Sequence, residues 1–118
     1  TLVDNSVSVL SVVQKNLALG IETAKRTTIL RMDATRLAPP PRSAGAPCDI
    51  AFLDPPYGSG LAVPALGSLK TRGWLSDGGL AVIEVGSDES LNPPLGYVVL
   101  KTRSYGAAKI VFLLLRNC

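Results

Sequence analysis

The sequence predicts an α/β fold with a mostly parallel sheet and an antiparallel hairpin at its carboxyl end. Strand-like and helix-like segments follow one another in the order β-α-β-β-α-β-β-β, and strands that alternate with helices pair in parallel. A continuously apolar run at residues 50–53 is typical of a strand buried on both faces. Acidic or polar residues follow several strands, which indicates a ligand site at the carboxyl edge of the sheet.

The first third of the chain supplies two predicted strands and one helix. Residues 1–3 are strand-like and lead to Asp4. Apolar residues at helical spacing then predict a helix over 6–19, and a β-branched stretch predicts a strand over 27–32 that ends on Asp33. Both strands therefore deliver a carboxylate to one edge of the sheet.

The later elements follow a proline-rich surface loop. After the apolar strand, residues 60–72 predict a helix that stops at a glycine. A strand over 80–85 begins after a pair of glycines. Residues 97–103 and 109–115 predict a β-hairpin around a turn at 104–106.

Composition restricts the chemistry that this chain can perform. Its 118 residues, 47% apolar and 18% charged, predict one globular domain, 1–118, which is small for a complete α/β enzyme. No uncharged apolar run is long enough to span a membrane. There is no histidine, and the two cysteines, Cys48 and Cys118, have no metal-ligand spacing, so we expect no metal site and a reducing, cytoplasmic location. The net charge of +3 is only weak support for a polyanionic partner.

The segment Asp54-Pro55-Pro56-Tyr57 is the strongest chemical signal. Its prolines lack N–H groups, so the loop presents acceptors only. The Asp54 carboxylate and the Pro55 carbonyl can each accept a hydrogen bond from one exocyclic amino group of a base, and so direct its lone pair at an electrophilic methyl group. Tyr57 can stack on a flipped base, which is worth about 1–3 kcal/mol. The alternative is a strand end followed by a proline turn without a chemical role.

This motif, with the segments around it, resembles the S-adenosylmethionine-dependent amino-methyltransferases. The order of the segments is similar to that of the bacterial RsmD group, which methylates a guanine N2 in small-subunit ribosomal RNA. The segments, which cover almost the whole chain, are 53–58, Gly60-Leu61, 73–75, 78–84, 103–106 and 109–113. The resemblance implies a Rossmann-like class I methyltransferase fold, S-adenosylmethionine as cofactor, and ribosomal RNA or the 30S subunit as partner, without metal or membrane.

The resemblance also implies cofactor-binding residues at three strand ends. Asp4, with Asn5 beside it, would bind the ribose hydroxyls of the cofactor. Asp33, with Ala34, would contact its adenine. Asp54 would contact both the cofactor and, with the catalytic loop that it begins, the target base.

Several of these residues have structural alternatives. Asp4 could cap the following helix, although Asn5 or Ser6 could cap it instead, and Asp33 could cap a loop. Glu84 lies in an apolar strand, so we favour a structural pairing of its carboxylate over a role in the site.

The predicted hairpin carries four further residues of interest. We expect Tyr105 to pack within the hairpin rather than to contact RNA. Lys101, Arg103 and Lys109 cluster there and could meet phosphate, although a solvated face is at least equally favoured.

One part of the family pattern is missing from this sequence. The glycine-rich cofactor loop should follow a first strand, and neither is found. Gly58-Ser59-Gly60 comes after the catalytic motif and has Val63 where a third small residue is expected, so it is not a dinucleotide fingerprint. We therefore expect a partial domain, inactive on its own, with a gap between the strands at Leu2 and Ile50. A neighbouring chain in a homo-oligomer could fill that gap, the two strands could pair directly, or the chain could be truncated.

Two other functions stay open at this point. Adenine-N6 methylation of DNA or RNA uses the same kind of loop. A non-catalytic binding or assembly module could retain the fold without the chemistry. A glutamine methyltransferase is less favoured, because it would more often carry asparagine in place of Asp54.

Overall fold

The computed structural model describes residues 1–20 and 27–116, which form two separate β-sheets and two α-helices. In the first sheet, β1 (Leu2–Asp4) pairs in parallel with β2 (Ile29–Arg31), and α1 (Val7–Leu17) follows β1. The second sheet has the strand order β3-β4-β6-β5. Its members are β3 (Cys48–Leu53), β4 (Leu75–Gly86), β5 (Tyr97–Tyr105) and β6 (Ala108–Leu115), and α2 (Ala62–Thr71) connects β3 to β4.

The two helices confirm the sequence prediction, with small shifts at their ends. Ser6 caps α1, because its hydroxyl accepts a hydrogen bond from the N–H of Val9 at 3.3 Å. This helix ends at Leu17, three residues before the predicted glycine stop. Helix α2 ends just before Gly73, whose φ of +76° suits a residue without a side chain. Neither is long and apolar enough to cross a membrane, nor is any other helix within the described ranges.

Two strand boundaries differ from the prediction. Strand β4 begins at Leu75 rather than after the glycine pair, because Leu75 already pairs with Cys48. The register then jumps to Ile50 opposite Leu80, and the residues between bulge out of the ladder. The hairpin turn lies after Tyr105 rather than at 104–106, since Tyr105 still pairs with the first residue of β6. Cys118 lies outside the described residues.

The second sheet carries the main core on one face. Strands β3 and β4 are parallel, and β6 runs antiparallel to both β4 and β5. Strands β3, β4 and β5 therefore point the same way, and their carboxyl ends share one edge. The largest fully buried side chains are Leu66 of α2 and Ile83, Leu113 and Leu115 of the sheet. Helix α2 thus covers the face that these residues form.

Strands β1 and β3 do not pair, so the proposal that they close up directly is wrong for the described part of the chain. A cleft separates the two sheets, and β3 is hydrogen-bonded to a neighbouring strand on one side only. Ile50 is 52% exposed and Phe52 is 80% exposed. The prediction that β3 is buried on both faces is therefore wrong, because the described residues place no element over that face and edge.

A second, smaller core holds the two sheets together. Trp74 is buried, and its indole N–H donates a hydrogen bond to the carbonyl of Ala38 at 2.8 Å. Val3 and Leu30 of the first sheet pack against this cluster. The backbone N–H of Leu37 also donates to the buried Ser68 hydroxyl of α2 at 2.7 Å. Side chains behind the cleft, and not strand pairing, therefore fix the first sheet against the second.

Candidate active site

The cleft between the two sheets gathers most of the predicted site residues. Its volume is about 610 Å³, within the range of roughly 300–1,000 Å³ that is typical of small-molecule sites. Seven of the predicted catalytic and cofactor-binding residues line it, namely Asp4, Asn5, Asp33, Ala34, Asp54, Pro55 and Pro56. Tyr57 is not among the lining residues. The carboxyl ends of β1, β2 and β3 therefore meet at one cavity, as expected of an open α/β sheet.

Asp4 keeps one carboxylate oxygen available at the mouth of β1. Its Oδ1 accepts a hydrogen bond from the backbone N–H of Ser6 at 2.8 Å. This contact orders the turn into α1, although Ser6 and not Asp4 is the helix cap. Among the described residues, the second oxygen has no hydrogen-bond donor.

Asp33 is held in the same way at the end of β2. Its Oδ1 accepts from the hydroxyl of Thr35 at 2.7 Å and from the N–H of Thr35 at 2.9 Å. The hydroxyl contact, followed by the backbone contact, lowers the pKa of Asp33 below its ordinary value, so this carboxylate is ionised at neutral pH. Asp33 thus has the loop-capping role that the sequence left open, at a 3-10 helix over 34–36. Within the described ranges its Oδ2 is without a donor.

Asp54 is an unused acceptor directly after β3. Its side chain is exposed, and no described residue donates a hydrogen bond to it. Pro55 and Pro56 follow and line both the cleft and a smaller cavity of about 250 Å³ on the other side of the loop. The loop is therefore a thin wall between two cavities, and its two prolines offer only carbonyl acceptors, because proline has no N–H.

Tyr57 is tied to β4 by its hydroxyl group. The phenol donates to Oε2 of Glu84 at 2.6 Å. This hydrogen bond, together with desolvation and the nearby carboxylates, raises the pKa of Tyr57 to about 12. The side chain is 50% exposed, so the ring is open to a stacking partner while its polar end is fixed. The prediction that the Glu84 carboxylate has a partner is confirmed, and that partner is Tyr57.

Glu89 is a functional candidate that the sequence analysis missed. Its carboxylate accepts a hydrogen bond from the N–H of Gly86 at 2.5 Å and another from the N–H of Gly58, the residue after the catalytic motif. The ammonium group of Lys109 donates to the Glu89 carbonyl. Glu89 therefore clamps the catalytic loop to the end of β4. The only sequence signal was an acidic turn directly after an apolar strand.

The basic residues of the hairpin do not form one cluster. Lys109 pairs across the ladder with Ser104, whereas Lys101 and Arg103 lie three positions and one position before Ser104 in β5. Because successive side chains of a strand point to opposite faces, Lys109 lies on the face away from Lys101 and Arg103. Tyr105 is 56% exposed, so the expectation that it packs within the hairpin is wrong.

The fold is that of solved methyltransferase-like proteins. A candidate methylase from Haemophilus influenzae superposes with a TM-score of 0.78 at 21% identity, covering 98% of this chain and 65% of that protein. A candidate methyltransferase from Escherichia coli gives 0.77 at 21% identity, covering 98% and 63%. A conserved hypothetical protein from Streptococcus pyogenes gives 0.73 at 24% identity, covering 97% and 69%. The chain therefore has the Rossmann-like α/β fold of these proteins.

The chain belongs to the family described as "Conserved hypothetical protein 95", whose model matches residues 1–114. It is 34% identical over 58 residues to the "Ribosomal RNA small subunit methyltransferase D" of Haemophilus influenzae, covering 49% of this chain and 30% of that protein. It is 26% identical over 65 residues to an uncharacterized methylase of Rickettsia prowazekii, covering 55% and 28%. The matches thus span less than a third of these relatives. The predicted relationship to RsmD-type methyltransferases is confirmed.

Proposed function

We propose that this protein takes part in S-adenosylmethionine-dependent methylation of an exocyclic base amino group, namely guanine N2 in small-subunit ribosomal RNA. The observation that carries the proposal is the cleft, which is lined by Asp4, Asp33 and the loop that begins at Asp54. Asp4 and Asp33 each keep one carboxylate oxygen to which no described residue donates. The substrate class follows from family membership and from the name of the Haemophilus influenzae relative.

The chain's residues fit the adenosine half of the cofactor. The free oxygen of Asp4, with Asn5 beside it, would accept from the ribose hydroxyls. Asp33 would accept from the adenine amino group, with Ala34 against the ring. When bound, S-adenosylmethionine supplies an electrophilic methyl group on a sulfonium and departs as the neutral thioether.

The catalytic loop would hold and orient the nucleophile. The Asp54 carboxylate and the Pro55 carbonyl accept the two hydrogens of the base amine, so that its lone pair faces the methyl carbon. A bound S-adenosylmethionine would supply the methyl group to this nitrogen, and Asp54 or water would take the proton that the nitrogen releases. Tyr57 stacks on the base, with its hydroxyl held by Glu84. Positioning supplies most of the rate in this scheme.

We also propose that a competent site needs a further strand between β1 and β3. Both strands leave one edge unpaired within the described ranges, and unpaired backbone edges are costly. The described residues that line the cleft include no lysine, arginine or glycine, so they offer neither a cationic side chain nor a glycine loop for the carboxylate end of a methionine moiety. We therefore expect the 118-residue chain to be inactive alone, and a neighbouring segment or a second copy to complete the sheet.

A methyl-transfer assay tests the proposal. The 118-residue chain and the entire product of its gene are each incubated with radiolabelled S-adenosylmethionine and 30S subunits that lack the modification. We expect N2-methylguanosine in the rRNA with the entire product only. Transfer to adenine in DNA or RNA would favour an adenine-N6 enzyme instead. Transfer to neither substrate would favour a non-catalytic module.

Substitution of the loop carboxylate tests the assigned roles. Asp54→Ala in the active protein should lower methyl transfer by about 100-fold or more, because the amine loses an orienting acceptor, while S-adenosylmethionine binding changes little. Asp49→Ala is the matched control, since Asp49 is an exposed carboxylate in β3, the strand that Asp54 follows. Equal loss of cofactor binding in the Asp54 variant would show that Asp54 holds the cofactor rather than the base.

A further inference from the structure

We propose that the carboxyl half of β5 is a docking strip for single-stranded RNA, formed by Lys101, Arg103 and Tyr105. This β5 strip would hold nucleotides next to the target base. The inference rests on the proposed function and specifies how its substrate is gripped. All three side chains are exposed, and β5 is the edge strand of its sheet, so a nucleic acid can reach them without rearrangement.

The strand register places the strip on a single face. Arg103 pairs with Ile110, which on its other side pairs with Glu84 of β4. Residues directly opposite each other in an antiparallel ladder share a face, so Arg103 and Glu84 lie in one row across the sheet. Lys101 lies two positions before Arg103 and Tyr105 lies two positions after it, so both side chains share its face.

The same row leads to the catalytic loop. Glu84 accepts a hydrogen bond from the Tyr57 hydroxyl at 2.6 Å. The row therefore runs from the exposed phenol of Tyr57, at Glu84 on β4, to Arg103 on β5. One strand, β6, separates β4 from β5, which places these two strands about 10 Å apart. Because β3, β4 and β5 run in the same direction, Tyr105 and Asp54 both lie at the carboxyl edge.

The chemistry of the strip suits an unpaired RNA strand. Arg103 and Lys101 make no hydrogen bond or ion pair with any described residue, so both cations are available to phosphates. Tyr105 is 56% exposed and can stack on a base, which is the way proteins hold splayed-out nucleotides. Lys109 is excluded from the strip, because it lies on the other face and donates to the Glu89 carbonyl.

Binding of a labelled RNA tests the stacking contact. The probe is a fluorescein-labelled single-stranded oligouridylate of about 12 nucleotides, a length in the range that one domain occupies, and the readout is anisotropy. Tyr105→Ala should weaken binding by about 5- to 100-fold, whereas Tyr105→Phe, which keeps the ring, should bind as the unmodified protein does. Equal affinities of the alanine variant and the unmodified protein would overturn the strip, as would the absence of any RNA binding.

The salt dependence tests the two cations. For single-stranded nucleic acid, each phosphate contact contributes about −0.7 to the slope of log K against log salt. Arg103→Gln and Lys101→Gln should each make that slope less negative by about 0.7. Arg72→Gln is the control, because Arg72 is exposed at the end of α2, at the opposite edge of the sheet. An equal change in the Arg72 variant would mean that the RNA is held by the overall charge and not by the strip.

These outcomes separate the strip from the proposed function. RNA binding that weakens as described, together with no methyl transfer by the entire product of the gene, would leave the strip in place and remove the enzymatic proposal. Methyl transfer to 30S subunits with unchanged kcat and KM in Tyr105→Ala would remove the strip and leave the enzymatic proposal in place. Thermal melting of each variant checks that the fold is retained, which is expected because every substituted side chain is exposed.

Discussion

Phe52 offers a direct test of the open cleft. It lies in the middle of β3 yet is 80% exposed, so only one fifth of its surface is covered. Full burial of a phenylalanine side chain stabilises a protein by about 1.5–3 kcal/mol, and the covered fraction therefore contributes about 0.5 kcal/mol. Phe52→Thr keeps a residue that favours strands and should lower the free energy of unfolding of the 118-residue chain by about that amount.

The assay is urea unfolding followed by circular dichroism, with Ile83→Ala as the comparison. Ile83 lies on the adjacent strand, pairs with Leu53 and is fully buried, so its truncation should cost about 2–5 kcal/mol. A loss of 2 kcal/mol or more in Phe52→Thr would refute the reasoning, because it would mean that β3 is covered in solution. Repeating the measurement at several protein concentrations shows whether a second copy provides the cover.

Three further substitutions test contacts around the site. Glu84→Gln should lower the pKa of Tyr57 from about 12 toward 10.0 in a phenolate absorbance titration. In the unsubstituted protein, the raised pKa of Tyr57 contributes stability that is fully present below pH 10 and is lost as the pH rises toward 12. An unchanged titration would contradict the hydrogen bond. Glu89→Gln should speed hydrogen exchange at the Gly58 N–H and lower the free energy of unfolding by about 1–3 kcal/mol. Asp88→Asn, at an exposed neighbour in the same turn, should change neither the exchange rate nor the stability. Trp74→Phe should cost about 1 kcal/mol in urea unfolding, because the part-buried hydrogen bond from the indole N–H to the Ala38 carbonyl is lost; no loss would mean that the indole N–H is unpaired in solution.

The sequence was sufficient for those parts of the fold that depend on local pattern. Helix α1 was predicted because apolar spacing and a capping hydroxyl both lie within a few residues, and Ser6 indeed caps it. The start of β4 at Leu75 could not be predicted, because it depends on a pairing with Cys48, which lies 27 positions away. The exposure of Phe52 was missed for a related reason. A continuous apolar run indicates that a strand can be buried on both faces. It contains no information on whether another element covers those faces.

The meeting of three carboxylates at one cleft was predicted from the sequence, whereas the contacts that support the loop over 54–57 were not, and the topology explains why. Parallel strands bring their carboxyl ends to one edge whatever the details of packing, so Asp4, Asp33 and Asp54 could be placed together from their positions after three strands. The supports of the catalytic loop depend instead on tertiary contacts with β4 and the turn after it, where Glu84 holds the Tyr57 hydroxyl and Glu89 bridges two backbone N–H groups. Glu84 lies on the four-stranded sheet and Glu89 in the turn after β4, whereas the other side of the same loop faces the open cleft. The described residues therefore support the loop over 54–57 on its β4 side, whereas the proposed site for the methionine end of the cofactor depends on what fills the cleft.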